Sequence, residues 1–204
     1  IVDPGDGSLL RVDYPSPAAR NPFIGNNPLV VHGNAEVLLP GLPGSVSTMG
    51  ALTRNADGGV LTVTGANRVL AFASSNLPAG GELRFAGSAN VALGQVNLGG
   101  PAVTVAKSGS GALVFNYNAA PSNLAGLTVN VRSGSAVAAV GGGAGKYDPF
   151  GGLALNMEDN TAITIISEAP GSPAFRPVIN NILGNLLIQQ QAMFGSFTDT
   201  LDVA

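Results

Sequence analysis

The chain reads as all-β, and more narrowly as a solenoid of small strand units, a β-helix. Three features of the 204-residue sequence point there: strand-like runs that recur along the chain, turn residues that punctuate them, and a scarcity of charge. The clearest unit is Lys107 to Val140. It holds two runs of alternating apolar residues, Leu113-Phe115-Tyr117 and Leu127-Val129-Val131, with a Pro/Ser/Asn loop between them. Gly109-Ser110-Gly111 opens the first run and Ser133-Gly134-Ser135 closes the second. One strand pair of this size cannot bury its own apolar face, so it requires neighbours of the same shape.

Such neighbours are present. Gly59-Val60-Leu61-Thr62-Val63 and Gly81-Glu82-Leu83-Arg84-Phe85 repeat the pattern of Gly111-Ala112-Leu113-Val114-Phe115, at spacings of 22 and 30 residues. A looser copy begins at Gly151-Gly152-Leu153. Degenerate repeats of about 20–30 residues, each one strand unit, are what a solenoid leaves in a sequence. The expected core is Leu61, Val63, Leu83, Phe85, Leu113, Phe115, Leu127, Val129 and Val131, stacked turn upon turn.

Residues 58–140 resemble the autotransporter-associated β-strand repeat of large secreted bacterial surface proteins. The Gly-x-Gly-x-Leu entry, the Asn that follows the first strand and the Leu127-x-Val129 second strand carry the resemblance. The repeats here are unequal, and Asn116-Tyr117-Asn118 stands where a Gly-Asn step is usual. The resemblance implies a right-handed parallel β-helix serving as a stalk, adhesin or fibre at the bacterial cell surface or outside the cell. It implies no catalytic residue.

Composition narrows the function classes. Charged residues make up 10% of the chain, against about 25% in ordinary soluble domains. With 29 Gly and 14 Pro the chain turns often, and so little charge repulsion favours association. A net charge of −3 with scattered Lys and Arg does not fit a nucleic-acid surface. The absence of Cys removes disulfides and thiolate metal sites. No run approaches the roughly 18 apolar residues of a membrane-spanning helix. The start at Ile1 fits a secreted product whose leader has been removed, or a trimmed chain.

The expected organisation has three parts. Residues 1–28, with five prolines, read as an extended arm; residues 29–169 as the β-helix array; residues 170–204 as a helix and tail. Strands are expected at Leu29–Val31 and Ala35–Leu39 and then near 60–64, 69–73, 82–86, 102–106, 112–116, 127–132, 136–140, 153–156 and 161–166. Pro177 to Phe194 reads as a helix, with Pro at its start and Gly195 past its end. Its apolar stripe, Ile179, Ile182, Leu183 and Leu186, is the expected subunit contact, in a stretch without charge from Val178 to Thr198. The arm and the helix read either as caps on their own subunit or as connectors to a neighbour, and the low charge favours connectors.

Candidate chemistry is sparse. His32 is the sole histidine and reads as a surface or satisfied residue. Asp3, Asp6 and Asp13 lack the spacing and closing Glu of a calcium loop. Gly141 to Gly145 is followed by the turn Lys146-Tyr147-Asp148-Pro149, not by the helix that a phosphate loop needs. A sugar-cleaving β-helix would project several carboxylates, or carboxylates with Lys or Arg, into one cleft. Asp57, Glu82, Asp148, Glu158 and Asp159 look too scattered for that, and Tyr14, Tyr117 and Tyr147 too dispersed for a stacking platform. Arg68, Arg84 and Arg132 are expected to face outward. The expected role is therefore structural or adhesive, without cofactor, metal or catalysis, in a self-associating fibre or filament. The alternative is a carbohydrate-binding or polysaccharide-processing β-helix, or a passenger fragment of an autotransporter adhesin, with surface glycans as partners.

Overall fold

The computed structural model describes residues 2–3, 5–11, 26–40, 43–55, 58–115, 123–140, 152–158, 161–167, 178–182 and 187–192. Its first strands are β1 (Ser8–Arg11), β2 (Leu29–Val31), β3 (Ala35–Leu38), β4 (Val46–Arg54), β5 (Val60–Thr64) and β6 (Val69–Leu77). Then come β7 (Glu82–Ala86), β8 (Asn90–Leu98), β9 (Val103–Lys107), β10 (Ala112–Phe115) and β11 (Leu127–Val131). The last are β12 (Gly134–Val140), β13 (Ala154–Met157), β14 (Thr161–Ser167), β15 (Val178–Ile182) and β16 (Leu187–Ala192).

Odd-numbered strands form one eight-stranded sheet in chain order, and even-numbered strands form a second. Every strand pairing is parallel. The chain is thus a β-solenoid that adds one strand to each sheet per turn. Leu61 stands beside Phe85, Leu83 beside Val105 and Val105 beside Val129, offsets of 24, 22 and 24 residues.

Alternation along each strand sends one face inward. Leu61, Val63, Leu83, Phe85, Leu113, Phe115, Leu127, Val129 and Val131 are each at most 1% exposed and lie in one hydrophobic cluster. They do not all share a sheet. Leu61 and Leu83 lie on β5 and β7, whereas Leu113 lies on β10 of the second sheet, so the Gly111 copy is not the turn-for-turn equivalent of the Gly59 copy. What these glycines share is crowding. A Cβ on Gly59 would overlap the carbonyl oxygen of Gly33, and one on Gly111 that of Ala89, each on the preceding turn. The strand entry is therefore Gly because one backbone passes directly over another.

The nine-residue strands β4, β6 and β8 change phase midway. Buried positions run Ser47, Met49, then Leu52, Arg54; Leu70, Phe72, then Ser75, Leu77; and Val91, Leu93, then Val96. Each slip of one residue turns the strand around a corner of the coil. Gly50, Ala73 and Gly94 occupy that corner, and a Cβ on Gly94 would meet the Ala73 carbonyl. On the other side of β6, β8 and β10, Ala71, Ala92, Ala112 and Val114 form a second buried cluster.

Two expectations change at the ends. The stretch read as an arm contains β1, which pairs with β3 of its own subunit, and Val2, which bridges to Leu29. Val2 and β1 thus cover their own subunit, because an extended segment lying beside an open strand edge completes that edge's hydrogen bonds. The segment read as a helix instead carries β15 and β16, paired with β13 and β14, and no helix occurs among the described residues. Val178, Ile179, Ile182 and Ile188 are β-branched and suit a strand laid on an existing sheet edge. Ile179 and Ile182 stand in register with the core residues Leu155 and Met157; Leu183 and Leu186 lie outside the described residues.

Phe115 is fully buried, so Phe115→Ala should destabilise the fold by about 3–5 kcal/mol in denaturant unfolding, without abolishing the β signature in circular dichroism.

Candidate functional site

The densest polar grouping among the described residues lies on the outer face of the first sheet. Alternation buries Leu83, Phe85, Val129, Val131 and Leu155 and leaves Glu82, Arg84, Asn130 and Asn156 on the opposite face. Arg132 Nη2 donates to Glu82 Oε1 and Oε2 at 2.9 and 2.8 Å. Arg84 Nε donates to Oε1 at 3.3 Å, and Asn130 Nδ2 to Oε2 at 3.3 Å. Arg132 Nε also lies 3.9 Å from Glu158 Oε1.

Glu82 and Arg132 are 50 residues apart in sequence, and β9 runs between their turns. At the crossing, Ala106 stands in register with both Arg84 and Asn130. Its methyl group leaves the long side chains of β7 and β11 room to meet over it. The structure thus gathers Glu82 and Glu158 around one guanidinium, a grouping the sequence reading missed. The turn length of about two dozen residues was the available signal, since it places residues two turns apart on one strip. Asp57, Asp148, Asp159, Tyr14, Tyr117 and Tyr147 lie outside the described residues.

Amide ladders extend the polar surface. Asn156 Nδ2 donates to Asn130 Oδ1 at 2.7 Å, and Asn181 follows Asn156 in register. On the second sheet, Asn97 Nδ2 donates to Asn76 Oδ1 at 3.0 Å and Asn76 Nδ2 to Thr53 Oγ1 at 3.3 Å. In each of these bonds the donor belongs to the later turn. Stacked amides of this kind reinforce the register that the backbone sets.

Three cations lie inside instead of outside. Arg54, Arg68 and Lys107 are each 1% exposed, so Arg68 does not face outward as expected. In each case the charged end reaches backbone carbonyls beside the strand ends, which a long cationic side chain can do. Arg54 Nη2 donates to Gly59 O at 2.5 Å and its guanidinium sits 5.7 Å from the centre of the Phe85 ring. Arg68 Nη1 donates to Pro40 O at 2.8 Å. Lys107 Nζ donates to Ser108 O and Gly109 O at 2.5 and 3.0 Å.

His32 is half exposed, hydrogen-bonded through Nδ1 to Asn55 Nδ2, with Nε2 3.7 Å from Asp3 Oδ2. No group of three or more His, Cys, Asp or Glu side chains that could hold a metal occurs among the described residues. No helix among them is long and apolar enough to cross a membrane.

Burial lowers the Lys107 ammonium from its usual 10.5 to about 8. Between those values the unfolded chain holds a proton that the folded chain has released, so stability rises with pH through that window. Lys107→Met should remove a rise of about 3 kcal/mol between pH 8 and 10.5, read as the difference between the two proteins' unfolding free energies. No family model matches the chain, and no curated protein or solved structure matches it.

Proposed function

We propose that this chain is an extracellular structural or adhesive β-solenoid module that self-associates into a bacterial surface or matrix assembly, as a fibre or filament subunit. The observation that carries this reading is the continuity of the two sheets. Among the described residues both are all-parallel from first strand to last, with β1 and β2 outermost at one end and β15 and β16 at the other. A terminal strand presents backbone N–H and C=O groups to any further strand of matching twist. When the first and last strands of one sheet differ, end-to-end pairing is heterologous and gives rings or open fibres.

Two further points support the reading. Charge is 10% of residues, so little repulsion opposes stacking. The resemblance of residues 58–140 to autotransporter-associated repeats is to a class of surface stalks and adhesins, and it favours an extracellular setting. The coil is taken as right-handed, because crossovers between parallel strands of one sheet almost always are.

A second reading has its own observation. Glu82, Arg84, Asn130, Arg132, Asn156 and Glu158 make a flat polar strip two to three turns long, a surface able to hydrogen-bond the hydroxyls of an extended glycan. Neither reading assigns a catalytic residue.

Purified protein examined by light scattering and negative-stain microscopy should form elongated particles whose mass grows with concentration. A stable monomer at tens of micromolar would overturn the self-association reading. Binding to glycans that is lost in Arg132→Ala would favour the second, and turnover of a polysaccharide that disappears in Glu82→Ala or Glu158→Ala would overturn both.

A further inference from the structure

We infer that Val2, Asp3 and the segment Gly5 to Arg11 form a strap across the amino-terminal end of the solenoid, and that its Val2–Asp3 half is a latch that opens to admit a second copy. This rests on the self-association reading above and names the element that would regulate it.

The strap crosses both sheets. Its second half is β1, four residues paired with β3 from Ser8↔Ala35 to Arg11↔Leu38. Its corner is fastened as well: Gly7 N donates to Asn34 O at 2.7 Å, and Asn34 N donates to Asp6 Oδ1 at 2.7 Å. Its first half is held far less. Val2 makes a single-residue parallel bridge beside Leu29, with Val2 N donating to Pro28 O at 2.9 Å and Val30 N donating to Val2 O at 3.0 Å. The side chain of Val2 is only partly buried against the core.

One side-chain contact reinforces the bridge, the 3.7 Å approach of Asp3 Oδ2 to His32 Nε2. His32 sits one residue past the end of β2 and is itself anchored to Asn55 on the next turn. Both members of the Asp3–His32 pair are about half exposed, 50% and 47%, so the contact is weak and easily screened. Among the described residues this half is held by two backbone bonds, the partly buried Val2 and one exposed contact, fewer ties than the full strand of the other half, so it opens more readily. When it lifts, Val30 N and Pro28 O on the outermost strand of the second sheet lose their partners. Those are the groups that an incoming parallel strand would engage.

The test measures opening and assembly separately. Amide exchange of Val30 reports the Val2 bridge in the monomer, and sedimentation velocity over a concentration series reports assembly. Val2→Pro removes the N–H bonded to Pro28 O at an edge where proline is tolerated, and Asp3→Asn weakens the His32 contact. Val30 exchange should quicken about two- to fivefold in Asp3→Asn, the range that an exposed pair supports, and more in Val2→Pro. Both variants should assemble at lower concentration than the parent chain, with β-rich spectra unchanged. Unchanged Val30 exchange in both variants would overturn the latch. Faster exchange with no assembly at any concentration would instead overturn the self-association reading, and with it the role given to the latch.

Discussion

Adjacent strands of a parallel sheet stand about 4.8 Å apart, and each turn of this chain must return to that spacing around its whole circuit. The constraint is hardest at the corners, where the path bends while the backbone above and below stays in place. It explains why a side chain on Gly59, Gly87 or Gly111 would collide with the carbonyl of an earlier turn. Beside the strand ends Arg54, Arg68 and Lys107 donate to backbone carbonyls. Long side chains suit this task because their stems line the apolar interior while the charged end reaches the wall.

That arrangement divides the charge of the molecule unusually. Among the described residues Arg54, Arg68 and Lys107 are committed to the interior, against no buried carboxylate. What remains outside is nearly self-compensating where it clusters, since Glu82 and Glu158 share Arg132. The outer surface of the first sheet is therefore polar through amides, hydroxyls and paired ions more than through net charge.

The parts legible in the sequence were those where alternation runs unbroken. Val60–Thr64, Glu82–Ala86 and Leu127–Val131 each place large aliphatic or aromatic residues inward at every second position, and their strand character is plain from that alone. Val46–Arg54 and Asn90–Leu98 were not recognised, because the slip at Gly50 and Gly94 cuts each pattern into fragments too short to read. The misread helix has a related cause. Ile179 and Ile182 are three residues apart, a helical spacing, yet they stand beside Leu155 and Met157, which are two apart. A register shift in the pairing of β13 and β15 imitates the helical period. The Glu82–Arg132 grouping was hidden for a different reason: it depends on how many residues one turn consumes, a length set by the corners and not by any local motif.

The hydrogen bonds of a solenoid lie along its axis, and this has a mechanical consequence. Axial tension loads successive turns in series, so the molecule should yield one turn at a time, at whichever turn resists least. The Glu82–Arg132 contact joins β7 to β11 over the intervening β9. It acts in parallel with the backbone bonds of two interfaces at once. Neither interface can part without also straining that contact.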